Sequence, residues 1–437
     1  MSFILPPWGG AMVHSDPQMS DCIAMKIPEK DVKIVWERNT LVGEKAGSKG
    51  NGMVGNGTIA ACTFSGVYDN LVVYNYAGKR LWSSKGMLNA VATASSPMVS
   101  IDNKIIACDN KTIFMLNVSD DACFVEWIQH IPQVSNGLLI PFSPTIVREK
   151  IILLPTRGGP VYAFDTDTGE LLSMKWLGKQ KSDDPYYSTV NSACVSNKRL
   201  YIAGESNKKT EIPKSRLFAI DVRIDGSFDD LFEDAWFCPY NGVSQASPLF
   251  VGDTVYVDGY TKGWQFLKNA KVYALTEKQD GYTLHATGYP NRTMFSFTKD
   301  PRGGFWYEDT KDCMLVHFQI IDDEICIVEK IAVNDFIPNL FGTFRPLSCM
   351  TICGTTDPIM LISAITLFFN KYVVAIRLGE LGCEDSYEVC WRVKTNVAGM
   401  NYSGGQYTIL KKDDDPYHHR ILYGGYWGGV IALGTEK

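Results

Sequence analysis

The chain has 437 residues, 45% of them hydrophobic and 21% charged, enough to bury a large core and too apolar for a disordered segment. A formal charge of −6 argues against a general nucleic-acid binder or a basic membrane-surface protein. The longest apolar-rich stretch, 359–369, is broken by Ser363 and Thr366, so no segment reads as a transmembrane helix.

Residues 1–21 have neither a basic start nor a long apolar run, and Pro6 and Pro7 follow Leu5 directly. They do not read as a secretory signal. Twelve cysteines include no C-x-x-C pair, and Cys62, Cys108, Cys194, Cys326, Cys349 and Cys390 fall in β-type apolar runs where a thiol acts as a small hydrophobe. A reduced, cytoplasmic protein is the expectation, although a mature extracytoplasmic chain renumbered from an added Met1 would read the same way.

The first predicted element is a strand at 32–37, ending in Trp36-Glu37. A four-strand unit follows at 51–54, 58–64, 71–76 and 79–83, and the pattern then repeats at 96–99, 104–107, 112–117 and 124–127. The next unit is 143–146, 150–154, 161–165 and 170–176; another runs from 192–195 through 200–203 and 217–221 to Trp236. Segments 247–250, 254–257, 272–275 and 282–286 repeat the unit again. The signature is weakest over 293–298, 304–308, 314–320 and 324–333, and returns at 346–352, 359–364, 372–378 and 387–393. Short β-branched and aromatic runs in fours, between turn-forming residues, are the signature of propeller blades.

The last unit, at 402–410, 420–424 and 429–433, has three strands only. The orphan strand at 32–37 is therefore expected to complete it, leaving no unpaired seam and tying down both ends. Trp36, Trp82, Trp127, Trp176 and Trp236 are spaced by 46, 45, 49 and 60 residues, and the 155 residues from Trp236 to Trp391 hold three further units. The fold expected is an all-β, eight-bladed propeller over 32–437 after an extension of residues 1–31, with seven blades if 293–333 fails to form one.

Ser-Pro at the first strand of a unit, the Val161-Tyr162-Ala163-Phe164-Asp165 run with Thr168-Gly169-Glu170-Leu171, and Trp at the end of the fourth strand together resemble the pyrroloquinoline-quinone-type propeller repeat. The resemblance covers most of 32–437, most strongly 51–286. It implies either a quinoprotein dehydrogenase or a non-catalytic propeller, since one fold hosts many functions. Asp165 and Gly169 read as a hairpin turn, the Asp capping backbone amides and the Gly taking a positive φ. The enzymes of that family hold quinone and calcium with adjacent cysteines, a stacked Trp and a Glu, Asn, Asp set. This sequence has no Cys-Cys pair, no match to the calcium set and no complete Thr-Gly-x-x-x-Trp motif. No cofactor or metal is expected, pyrroloquinoline quinone with calcium being the alternative.

Other constellations read as structure. Asp413-Asp414-Asp415-Pro416-Tyr417-His418-His419 falls where a hairpin turn is expected, His317 lies within an apolar run, and Cys349 and Cys353 lack a zinc-knuckle partner pair. The segments preceding each first strand supply a polar rim for the axial funnel: Arg345, Tyr187, Asn191, Gln245, Asn401 and Tyr402, with Asn89, Thr93, Gln133, Asn136, Tyr186 and Asn241. Such a rim suits a protein partner or a small polar ligand, with Arg345 as the bidentate donor. Insertions at 205–215 and 259–270 interrupt adjacent units, the second offering Lys262, Trp264 and Phe266 as partner anchors. The function expected is a non-catalytic binding or assembly propeller; the alternatives are a quinoprotein-type oxidoreductase or a funnel-site hydrolase or lyase acting on a sugar-like substrate.

Overall fold

The computed structural model describes residues 3–39, 52–64, 70–85, 87–88, 95–134, 140–178, 186–189, 191–196, 199–208, 213–223, 230–242, 246–258, 271–278, 281–290, 296–309, 312–336, 345–346, 350–365, 371–381, 386–395, 407–424 and 429–435. Eight antiparallel blades follow one another, their strands designated A to D. Blade 1 is Val54–Gly55, Ile59–Thr63, Leu71–Asn75 and Arg80–Ser83; blade 2 is Met98–Val99, Lys104–Cys108, Thr112–Val118 and Cys123–His130. Blade 3 is Thr145–Val147, Ile151–Leu154, Val161–Asp165 and Leu171–Lys175; blade 4 is Cys194–Val195, Arg199–Ser206, Ser215–Val222 and Phe232–Tyr240. Blade 5 is Leu249–Val251, Thr254–Asp258, Lys271–Lys278 and Gly281–Pro290, and blade 6 is Thr298–Lys299, Phe305–Asp309, Met314–Ile321 and Glu324–Ala332. Blade 7 is Thr351–Cys353, Ile359–Ile365, Lys371–Leu378 and Tyr387–Thr395. Blade 8 takes Tyr407–Leu410, Arg420–Gly424 and Gly429–Gly434 from the C-terminal end and Lys33–Asn39 as its D strand.

The weak stretch thus forms a full blade, and the orphan strand closes the ring in antiparallel register, Ile34 opposite Leu433 and Trp36 opposite Ala432. No helix of the described residues is long and apolar enough to cross a membrane.

Each blade is covered on both faces by its neighbours, which is why the inner strands are continuous apolar runs. In strand C of blade 2, Ile113 and Met115 pack with blade 3, while Phe114 and Leu116 pack with blade 1. The D strands lie outermost, and there Phe124, Ile128, Met174 and Phe237 are half-exposed or more.

The tryptophans have a specific place in the seams. Trp36, Trp82, Trp127, Trp236 and Trp391 each follow a break in the C–D register of their own blade. Trp127 lies against the C-to-D turn of blade 3, its indole N–H donating to the Thr166 carbonyl at 3.1 Å. A Cβ on Gly169 would stand 2.5 Å from that ring. Gly169 has φ +73° and the Asp165 carboxylate accepts from the Asp167 and Thr168 amides, the turn expected from sequence. Trp36 repeats the contact on blade 1, donating to the Tyr76 carbonyl beside Gly78. At the closure, Trp391 donates instead to the carbonyl of Pro28 at 2.9 Å, so the lead-in to the N-terminal strand replaces the turn that blade 8 lacks. Trp176 lies just beyond the D strand of blade 3 and meets Tyr186 edge to face.

Candidate functional site: the axis and its plug

Residues 3–24 do not lie across a face of the disc; they enter its axis. Backbone carbonyls of this segment accept amide hydrogens from the A strands or their turns in six blades: Gly55 to Gly10, Val99 to Ala11, Val195 to Pro17, Phe250 to Gln18, Lys299 to Ser20 and Ile352 to Asp21, all between 2.7 and 3.0 Å. Blade 8 contributes the Thr408 hydroxyl, donating to the Gly10 carbonyl at 3.2 Å. Cys22–Ile23 adds a parallel strand to Thr351–Cys353 of blade 7. The plug therefore satisfies the free inner edge that A strands would otherwise present.

Its sequence suits that course. Phe3, Met12, Val13 and Met19 are fully buried in the same core cluster as Met98, Met115 and Tyr201. Gly9 and Gly10 take positive φ, and a Cβ on Gly9 would meet the Cys22 carbonyl at 2.6 Å, so the two legs approach as closely as only glycine permits. His14, Ser15, Met19 and Asp21 are also left-handed, a strained backbone maintained by the contacts around it.

One polar relay fastens the plug to blade 6. The Asp21 carboxylate lies 2.6 Å from His14 Nδ1, and His14 Nε2 lies 3.2 Å from Ser296 Oγ. In the Nδ1–H tautomer the imidazole donates to Asp21 and accepts from the Ser296 hydroxyl, whose oxygen in turn accepts the Ser247 amide at 2.9 Å. The atoms follow the order of a hydrolytic triad. His14 and Asp21 have no exposed surface, however, and Ser296 has 5%, so the relay is suited to fastening the plug. The same position explains the recurring Ser-Pro: the Ser143 hydroxyl accepts the Ser96 amide at 2.8 Å. Ser143 and Ser296 each stitch their blade to the start of the previous one.

Burial also keeps the Cys108 thiol quiet. Desolvation pushes Cys108 up to about 12, so Cys108 is protonated and inert near neutrality. His317 is a buried strand residue: its Nε2 lies 2.7 Å from the Gly303 carbonyl and its ring stacks on Trp306. The Asp413–His419 segment is the A-to-B hairpin of blade 8, with Asp413 within 2.9 Å of His418 Nδ1 and its carboxyl held below the usual range by that contact.

The expected rim is only partly brought together. Tyr187 does not reach it: an additional strand, Tyr187–Thr189, pairs with Arg199–Ser206, and the ring, 1% exposed, packs edge-on to Phe218 beneath Arg216. Asn191 is 5% exposed and its side-chain oxygen accepts the Ser192 amide. Gln133 is spent on the Asn110 and Ile131 carbonyls. Arg345 lies in a two-residue strand, Arg345–Pro346, paired with strand B of blade 7, which puts it before the A strand as expected. Gln245, Asn401, Tyr402, Lys262, Trp264 and Phe266 lie outside the described residues. The strands flanking 207–214 and 259–270 make both insertions B-to-C connections of adjacent blades.

Eight four-stranded blades with closure between the two chain ends decide the architecture. The fold is that of the pyrroloquinoline-quinone-type propellers. A quinohemoprotein alcohol dehydrogenase from Comamonas testosteroni superposes with a TM-score of 0.67 at 10% identity, over 98% of this chain and 81% of that one. A europium-containing methanol dehydrogenase gives 0.66 at 11% identity, over 98% of both chains. BamB from Moraxella catarrhalis gives 0.50 at 10% identity, over 92% of this chain and 99% of that one. No protein-family model matches the sequence, and a search of curated proteins finds no match.

Residues 11–14 of the plug take up part of the axis, with Met12, Val13 and His14 at most 1% exposed, and among the described residues no three carboxylates, imidazoles or thiols converge to hold the calcium of such propellers.

Proposed function

We propose that this chain is a non-catalytic propeller that binds or assembles a protein partner at the D-to-A end of the disc, with Arg345, Gln245, Asn401 and Tyr402 on the engaging rim and Tyr187 and Asn191 beneath it. The observation that carries this reading is the plug: the chain spends its own N-terminal segment on the axis, where a propeller enzyme of this fold would hold its cofactor. A closed ring tied to its plug through six blades is preorganised, so its loops lose little freedom on docking. Tyr and Arg are residue types that dominate such interfaces.

Affinity purification with the full chain, compared with Arg345→Ala and Tyr402→Ala, tests it. Partners retained by the parent and lost from the variants support the reading; identical recovery from all three contradicts it. Titration with pyrroloquinoline quinone and calcium is the second arm, in which a bound-quinone absorbance would restore the oxidoreductase alternative.

A further inference from the structure

At the opposite end, where the A-to-B turns lie, the two legs of the plug stop short of filling the channel. They leave a cavity of about 540 Å³ between residues 5–9, residues 16–24 and the A-to-B turns of blades 3, 4, 6 and 7. That is the size of a small-molecule site. Its apolar wall includes Pro6, Pro7, Trp8, Ile23, Ile146 and Val195.

The charged groups on the wall differ in how far they are committed. Asp16 accepts from the Gln18 amide at 2.9 Å, the Ser20 amide at 3.2 Å and the Ser20 hydroxyl, which exhausts most of its capacity. Arg148 and Glu149 sit at the exposed tip of the blade 3 turn. Lys299 is half-buried, and its backbone amide and carbonyl are used by Ser20 and Cys22. Its ammonium has no ion-pair partner among the described residues, yet its charge acts on both Asp16 and Cys22, which line the cavity. A half-buried cation that makes no direct ion pair among the described residues, on the wall of a chamber lined by an indole and prolines, is complementary to a monoanion with an apolar body.

We propose that this cavity binds a small aromatic or aliphatic monocarboxylate, with Lys299 as the counter-ion and Trp8 packed against its apolar body. The site is separate from the rim at the other end of the disc, and either can fail without the other.

The test is calorimetric titration of the full chain with benzoate, with benzylamine and inorganic phosphate as controls. Benzoate is expected to bind, Lys299→Gln to weaken it roughly tenfold or more, and Lys299→Arg to restore most of it. Thr355→Trp, at the exposed mouth, is expected to block benzoate while keeping the charge. Absence of binding up to about 10 mM, equal affinity in Lys299→Gln, equal binding of benzylamine, or preference for phosphate would each overturn the assignment. Unchanged melting temperatures of the unliganded variants separate loss of the site from loss of the fold.

Discussion

The seam between blades 2 and 3 and the seam between blades 6 and 7 solve one problem with opposite chemistry. In the first, Trp127 covers the C-to-D turn of the next blade and Gly169 lies flat beneath its ring. In the second, the residue in the tryptophan position, paired with strand C at the register break, is Glu329. It accepts from the Ser386 hydroxyl and from Arg302, whose guanidinium also holds Asp300 and the Gly379 carbonyl of the blade 7 turn. Trp306 and His317 stack behind this cluster, with the Trp306 indole donating to Asp300 at 2.6 Å. A joint specified by one large ring and one glycine has a short sequence signature; a joint specified by four charged and polar groups from two turns and a strand, spread over 300–386, does not.

The largest difference should appear when each joint is broken. Arg302→Leu leaves the buried Asp300 and Glu329 carboxylates without their cation, and an unfolding free energy lower by about 3–5 kcal/mol is expected from denaturant titration. Trp127→Ala removes a seam-covering ring, and about 3 kcal/mol is expected. If Arg302→Leu cost less than a surface substitution, the ionic joint would be ornament.

The polar seam also contains a buried acid. Glu308 is 2% exposed, neither of its oxygens has a hydrogen-bond donor among the described residues, and burial holds its carboxyl well above the usual range. The folded chain then keeps a proton that the unfolded chain releases. Stability from this group is full below the ordinary carboxylate range and is lost as pH rises from there toward the raised value. Glu308→Gln should abolish that slope and stabilise the protein at pH 8 by about 1–3 kcal/mol, read from melting at a series of pH values. A parallel pH dependence in parent and variant would show that Glu308 is ionised and paired.

A smaller effect isolates the apolar joint. Gly169 and Gly252 are both left-handed, at +73° and +66°, but an added Cβ meets Trp127 at the first and nothing within 4 Å at the second. Alanine at Gly252 should cost about 1 kcal/mol for conformation alone. Alanine at Gly169 should cost more, and the excess measures the Trp stack; equal costs would mean that the ring moves aside freely.

Most of the disc was legible because its signals are periodic. The Ser-Pro, the apolar runs and the terminal Trp recur at blade spacing, and the three-strand last unit demanded the strand at Lys33–Asn39. The plug was not legible. Residues 3–24 have no period, and their fit depends on amides supplied by six blades that are distant in sequence; Gly9-Gly10 and the isolated Phe3, Met12, Val13 and Met19 were the available hints. The rim failed at Tyr187 for a related reason: an extra strand before the A strand turned a residue expected at the mouth into core.

The central claim, that the N-terminal segment is an integral axial element, is tested most directly by hydrogen exchange of the full-length protein. The amides of Val99, Val195, Phe250, Lys299 and Ile352 donate to plug carbonyls, so they should exchange only on global unfolding, as slowly as the inner-strand amides. Exchange of these five amides at the rate of exposed loop amides, with inner strands still protected, would show that the segment does not occupy the axis.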